Sequence, residues 1–475
     1  MSQSGVLQWV RRKSSEGGLD RSRAALATCA ALFFLYVPTN LLSSIDHSGI
    51  LKRAVWCALL AAAIVMTVFD RRFQRFLHRS KVGLLLGASV LYFGVHALLM
   101  PPAFGPMPPI ALIVLLPVMT VLGIGSSFSK GAVAWVLFAM SGSIVAIGLF
   151  TMSTTGLLTD PGSGFILYFP GFWPSDVRWY QTVALFCGMY SLLAVFFVMP
   201  RMTSRSLMAL FVLSAGFAAM FIGELGARTA LISTTLAFVA LAVLKCLRGR
   251  RGGSSGSDVG VSNAIWCLAS LTVISALWVP SVLGFSMASG EGTLIQRRSS
   301  LTYEGYASLL ESKDPEQDSD RILSQAPRLA ILTAATDHFR SKEWNLMFGS
   351  GAESFQAAGI GRGWHPHCIP LELLLEYGIV GLCMVLSLLA ALARGVVRQI
   401  HSPGRDDLRN GDAVLGVVVM FSVASLFTGS VGTSMATLVF LYGLVGSSDV
   451  DPTSSEHDEE AARGAGEEES SACVA

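Results

Sequence analysis

The chain has 475 residues, 52% of them hydrophobic and only 14% charged, with a formal net charge of +2. That balance describes a polytopic membrane protein and excludes an ordinary soluble domain. The basic residues are scattered, which argues against nucleic acid as a partner.

The N-terminus is basic (Arg11, Arg12, Lys13, Arg21, Arg23) and leads straight into the first apolar run. The Arg11-Arg12 pair resembles a twin-arginine signal faintly, but a cytoplasmic anchor for the first span is the better reading. A bilayer core needs about 20 mostly apolar residues per helix. Runs of that kind lie near 24–42, 54–69, 82–100, 110–125, 131–152, 179–200, 207–223, 229–246, 262–287, 369–393, 413–428 and 431–447. The expected fold is therefore all-α, a transmembrane helical bundle of about twelve spans.

With the N-terminus inside, the cytoplasmic segments carry Arg71, Arg72, Arg75, Arg79, Lys81, Lys130, Arg201 and Arg205. Further along they carry Lys245, Arg248, Arg250, Arg251, Arg394, Arg398, Arg405 and Arg409. The short external loops hold only Lys52, Arg53, Arg178 and Arg228, so the positive-inside rule is met at nearly every turn. Lys52 and Arg53 dissent, which points to an imprecise boundary there. Both termini are then expected in the cytoplasm. Trp179 and Tyr180 stand at an external end, as belt aromatics do.

Two external segments are long. One, 153–178, is rich in Gly, Pro and aromatics; the other runs about 288–368. In the second, Pro327 to Arg340 reads as a helix, with Pro327 in its first turn. Gly349-Ser350-Gly351 then breaks the chain. The expected organisation is nine spans over 1–287, an external and partly helical loop over 288–368, further spans over 369–447, and an acidic, disordered cytoplasmic tail over 448–475. The eight cysteines (Cys29, Cys57, Cys187, Cys246, Cys267, Cys368, Cys383, Cys473) show no CxxC and read as packing residues.

The chemistry-bearing stretch is His365-Pro366-His367-Cys368 followed by an apolar helix bearing Glu372 and Glu376. The two carboxylates stand at i, i+4 and share a helical face. Lipid contact would be costly for both, so that face should look into the bundle. His367 can take or give a proton near neutral pH. The plain alternative is that His367 caps the loop and the glutamates pair with a nearby arginine.

Arg228 lies in Glu224-Leu225-Gly226-Ala227-Arg228-Thr229-Ala230, a tight external link. Its planar fork of donors suits phosphate. A local Glu224–Arg228 ion pair is the competing reading. Arg328 opens the loop helix and, with Arg321 and Arg340, could form a cationic surface; solvated loop arginines are the alternative. Arg228, Arg328 and His367 all fall on the external side of this topology. Two fixed cations and one proton-transfer group are what a pyrophosphate leaving group requires. His96, in the third run, reads as a packed, hydrogen-bonded histidine, and His338 as an exposed one. No HExxH and no Walker A loop occurs, so a metal site has little support.

The stretch from Arg328 to Gly381 resembles the signature region of the O-antigen ligase and O-antigen polymerase superfamily of bacterial membrane glycosyltransferases. Arg328 opens the helix, Gly349, Gly351 and Phe355 follow, and His367, Leu371, Glu376, Gly378 and Gly381 match in order. Gly226-Ala227-Arg228-Thr229-Ala230 is similar to the family's Ser-Arg-Gly-Ala element. Cys368 stands where the family carries Asn, and Thr229 where it carries Gly. The resemblance implies a GT-C-like enzyme of the bacterial inner membrane with a periplasmic active face. Such an enzyme moves a glycan from undecaprenyl pyrophosphate to lipid A-core or another glycan, with inversion and without a required metal or other cofactor. It implies Arg228 and Arg328 on the pyrophosphate and His367 on the acceptor hydroxyl. Glu376, Glu372, Arg321, Glu224, Gly349 and Gly351 are expected around the substrate. A polymerase joining repeat units shares these motifs; a transporter or flippase is the rival of another class.

Overall fold

In a computed structural model of the protein, the residues described are 80–103, 111–126, 130–155, 158–160, 164–166, 180–225, 227–251, 257–283, 335, 345–357, 368–401, 408–428 and 434–446. The candidate spans at 24–42 and 54–69 and the tail lie outside them.

The described chain is a bundle of helices. Helix α1 covers Lys81–Leu99, and α2 (Leu116–Ser126) continues a π-helical turn at Ala111–Leu115. Helix α3 (Lys130–Thr155) leads to a short antiparallel ribbon, β1 (Leu158–Asp160) with β2 (Gly164–Ile166), in which Thr159 pairs with Phe165. Then follow α4 (Tyr180–Leu193), α5 (Arg205–Glu224), α6 (Arg228–Arg251) and α7 (Ser257–Leu283). After the single turn α8 (Ser354–Ala357) come α9 (Ile369–His401), α10 (Leu408–Thr428) and α11 (Ser434–Gly446).

Local chemistry explains several boundaries. Ser80 caps α1, its hydroxyl accepting from the Gly83 N–H at 3.0 Å. Pro101 and Pro102 follow the end of α1 and cannot continue it. Helix α4 widens into a π turn at Ala194–Val198 and then tightens into a 3₁₀ turn at Met199–Arg201, which holds Pro200. There the Arg201 guanidinium lies 3.9 Å from the centre of the Phe197 ring and donates to the Phe197 carbonyl.

Among the described residues five helical stretches are long and apolar enough to cross a membrane: Lys81–Leu99, Val183–Arg201, Arg205–Gly223, Arg228–Leu247 and Ile369–Val397. The fold is thus that of a helical, membrane-embedded protein. Shorter apolar helices run over Leu112–Ile124, Val133–Ala146, Ile265–Trp278 and Asp412–Phe427. Which residues face out supports this. On α6 the exposed side chains are Ile232, Leu236, Val239, Val243 and Leu247, a stripe at helical spacing made of pure hydrocarbon. The opposite face buries Ala230, Ser233, Thr234, Ala237 and Phe238. Small and hydroxylated residues inside, with aliphatic residues outside, is the pattern of helices packed in lipid.

Helix α4 is the centre of the bundle, buried from Leu192 to Met199 and packed by α3, α5, α6 and α10. Ser191 on α4 donates to the carbonyls of Cys187 and Ala215 at 2.9 and 2.8 Å, so a hydroxyl at this depth is satisfied within the protein. Helices α1 and α11 flank α9, and α11 lies against α2. The α2–α11 contact is backbone to backbone. A methyl group on Gly123 would run into the Phe440 carbonyl, and one on Gly443 would sit 3.0 Å from the Thr120 carbonyl oxygen.

That close approach predicts a selective sensitivity. Gly123→Leu should destabilise the detergent-solubilised protein by about 1–3 kcal/mol, the cost of overpacking a tight contact. Gly94→Ala faces open space and should leave the melting temperature within the error of a thermal-shift assay.

Candidate functional site

Helix α9 is interrupted. Gly378 has φ 66° and ψ −170° in the middle of an otherwise helical stretch. In an unbroken helix the N–H of Ile379 would bond to the Leu375 carbonyl and that of Val380 to the Glu376 carbonyl. Here all four groups find other partners, and all of them lie in one segment, 346–351. Ser350 N–H donates to Leu375 at 3.1 Å and Gly351 N–H to Glu376 at 3.0 Å. Ile379 N–H donates to Leu346 at 3.0 Å and Val380 N–H to Met347 at 3.2 Å. The loop is therefore inserted into the helix ladder, and none of these four groups is left to lipid.

Glycine is required on both sides of this join. Gly349 (φ 77°) lies against the Glu376–Tyr377 peptide and Gly378 against the Met347 carbonyl, so a Cβ on either would enter backbone. Asn345 shapes the approach. Its Oδ1 accepts from the N–H groups of Met347 and Phe348 at 3.0 and 3.2 Å, and its carbonyl from Gly349 N–H at 2.6 Å.

Helix α1 clamps the join from the side. The Tyr92 hydroxyl donates to the Tyr377 carbonyl at 2.6 Å, and the Gly381 N–H is directed at the same phenolic oxygen. Tyr92 thus bridges a peptide pair of the α9 ladder. His96 donates through Nε2 to the Phe348 carbonyl at 2.7 Å, which confirms its reading as a packed, hydrogen-bonded histidine. The Tyr377 ring is fully buried, 5.1 Å from the Phe93 centroid and 5.0 Å from that of His96. Beyond α1, Ala103 N–H donates to the Ala352 carbonyl at 3.2 Å.

The carboxylates sit on this frame. Glu372 and Glu376 are 4% and 2% exposed, so their shared face does look into the protein. The backbone N–H of Glu353 is directed at the Glu376 carboxyl, and Glu353 itself has a positive φ of 60°. Such backbone in a non-glycine residue is held only by its surroundings. Directly beyond, Phe355 is buried with Leu375 and with Ala335, the one described residue of the expected loop helix, which is itself helical.

Arg228, half-buried, opens α6 between the buried Ala227 and Thr229. Its end of the bundle follows from α6 itself. At the far end of α6, Lys245 pairs with the buried Asp412 at 2.7 Å. Asp412 lies near the start of α10, a short connection after the end of α9 at His401. Lys245, Asp412 and the C-terminal end of α9 therefore share one end of the bundle. Arg228, Glu372 and the 345–353 segment share the other. Arg321, Arg328, His367 and the side chain of Glu224 lie outside the described residues.

Gly349 and Gly351 are brought to the main chain of Glu376, where they seat the loop on α9. Among the described residues no group of three or more His, Cys, Asp or Glu side chains is placed to hold a metal ion. Sequence reasoning missed Tyr92, Tyr377, Asn345 and Glu353. The local signal was a Gly-x-Gly segment ahead of an apolar helix, but that helix holds Gly378, Gly381 and Gly395 and so does not single out the break. A rigid, buried carboxylate pair of this kind can hold hydroxyl groups or share a proton. No protein-family model matches the chain, and a comparison with curated proteins gives no match.

Two substitutions should grade the join. Tyr92→Phe removes one bridging hydroxyl and should cost about 1 kcal/mol. Gly378→Ala must place a side chain at positive φ against the Met347 carbonyl and should cost about 3 kcal/mol or more. Thermal melts of the purified variants check both the order and the size.

Proposed function

We propose that the protein is an integral membrane glycosyltransferase that moves a glycan from undecaprenyl pyrophosphate to an acceptor hydroxyl, on lipid A-core or another glycan. The observation that supports this reading is the chemical polarity of the bundle. One end holds Arg228, the buried pair Glu372 and Glu376, and a loop locked into an interrupted helix. Ionisable groups and broken backbone at membrane depth are costly and mark sites that handle polar substrates.

The proposed step is a single displacement. The acceptor oxygen forms a bond to the anomeric carbon, and the bond from that carbon to the pyrophosphate oxygen breaks. The acceptor proton passes to His367, and the negative charge left on the departing pyrophosphate is stabilised by Arg228 and Arg328. Helical spacing would put Arg328, seven residues before Ala335, on the face of Ala335, which packs beside Leu375. Glu372 and Glu376 would hold hydroxyl groups of the sugar, and the bundle would hold the polyprenyl tail. The sidedness, periplasmic by the positive-inside pattern, belongs to this proposal, as does the full count of about twelve spans.

A second reading draws on the same break. Discontinuous helices with buried carboxylates also occur in transporters. The two readings differ in whether a glycosidic bond forms. Purified protein in liposomes, given lipid-linked donor and acceptor without an ion gradient, should yield transferred glycan. His367→Ala should lower kcat/KM by about 10²–10⁴-fold, and Arg228→Ala and Arg328→Ala should lower it comparably, with protein abundance unchanged. Movement of substrate across the bilayer with no new bond would favour transport. In a deletion strain, full-length polymer left on its carrier identifies a ligase and single repeat units a polymerase, whereas an unchanged profile removes the enzyme reading.

A further inference from the structure

Helices α6 and α7 hold two thiols against each other. Cys246 Sγ lies 3.6 Å from Cys267 Sγ, and both cysteines are free. Cys267 is exposed and Cys246 half-buried in the last turn of the apolar stretch Arg228–Leu247, where a small uncharged reagent such as hydrogen peroxide reaches the pair. A disulfide has an S–S bond of about 2.05 Å, so the sulfurs must close by about 1.5 Å, within the reach of side-chain rotation.

The register of the two helices keeps them there. Trp278 Nε1–H on α7 donates to Thr235 Oγ1 on α6 at 2.9 Å. Eleven residues on from Thr235 along α6 is Cys246, and eleven residues back from Trp278 along α7 is Cys267. Equal steps in opposite directions are those of an antiparallel pair in constant register. Eleven residues is about three turns, which returns to the same helical face. The neighbours agree: Lys245 Nζ is 5.4 Å from the Trp266 ring centre and is tied to Asp412 of α10. Trp266 stacks on Phe196 of the central helix with 5.4 Å between centroids. The thiols therefore sit at a contact pinned from both sides.

We propose that Cys246 and Cys267 form a dithiol modification site that a peroxide-class oxidant closes reversibly to a disulfide. Two S–H bonds break and one S–S bond forms. The two electrons and two protons reduce one hydrogen peroxide to two waters, or one organic hydroperoxide to an alcohol and a water, by way of a sulfenic acid on one sulfur that the other sulfur attacks. The basic residues around this end, Lys245, Arg248, Arg250 and Arg251, assign it to the cytoplasm by the positive-inside rule. Thiols there rest in the reduced state, so oxidation is the event. The bond would tie α7 to the far end of α6, the helix that begins at Arg228.

The test uses the full chain in native membranes, exposed to hydrogen peroxide, then denatured and labelled with a maleimide-polyethylene glycol. The eight adducts of the untreated protein should fall to six after oxidation and return to eight after dithiothreitol. Peptide mass spectrometry should place the bond between Cys246 and Cys267. A Cys246→Ser variant should show seven adducts before and after oxidant. Wild-type protein that keeps eight adducts under oxidant overturns the proposal. So does a bond mapped elsewhere, a variant that still loses two adducts, or an untreated protein already at six.

Discussion

A peptide group inside a membrane protein must be hydrogen-bonded by protein, because lipid offers no partner. The arrangement around Gly378 follows from that constraint. Breaking α9 strips partners from two N–H groups and two carbonyls, and the 346–351 segment supplies all four. The loop cannot leave without exposing them, and the helix cannot straighten while the loop is in place. Tyr92 and His96 then secure the join to α1, one on each partner of the exchange. The carboxylates of Glu372 and Glu376 inherit their rigidity from this backbone lock.

The rest of the bundle keeps that lock in register. Lipid gives helices no hydrophobic reason to associate, so close backbone approach and internal hydrogen bonds carry the packing. Gly123 and Gly443 let α2 and α11 touch along their main chains, and α11 in turn lies against α9. Ser191 and Tyr190 satisfy their hydroxyls within the α4–α5 contact. At the opposite end, Lys245 and Asp412 neutralise each other across α6 and α10. The two ends of the bundle are thus chemically unlike. One holds an ion pair with a buried carboxylate, the other a buried pair of neighbouring carboxyl groups. The ion pair offsets the cost of desolvating Asp412, whereas two adjoining acids at depth mark a place that handles protons or polar groups.

Legibility differed from residue to residue. The inward face of Glu372 and Glu376 was readable because an i, i+4 spacing is a local property of a helix and lipid contact is costly for either acid. His96 was readable as a packed histidine for the same reason of burial. Gly378 was not readable as a break, since the apolar run passes through it without a change of composition. Gly349 and Gly351 were visible as chain breakers, but their partner on α9 was not. The cysteines were read as packing residues from their spacing in the chain. Cys246 and Cys267 meet only because two helices run antiparallel in one register. Tyr92 and Tyr377 gave no sign at all, being ordinary aromatics in ordinary apolar runs.

What the sequence by itself determined is therefore what short-range physics controls: which runs are apolar enough to be helices in lipid, where basic residues cluster between them, and which side chains share a helical face. The tertiary structure alone decided the main-chain exchange between 346–351 and α9 and the clamp from α1. The physical reason is that hydrocarbon interiors are interchangeable in composition. Many helix arrangements bury the same apolar surface, and the choice among them rests on a few directional contacts between residues hundreds of positions apart.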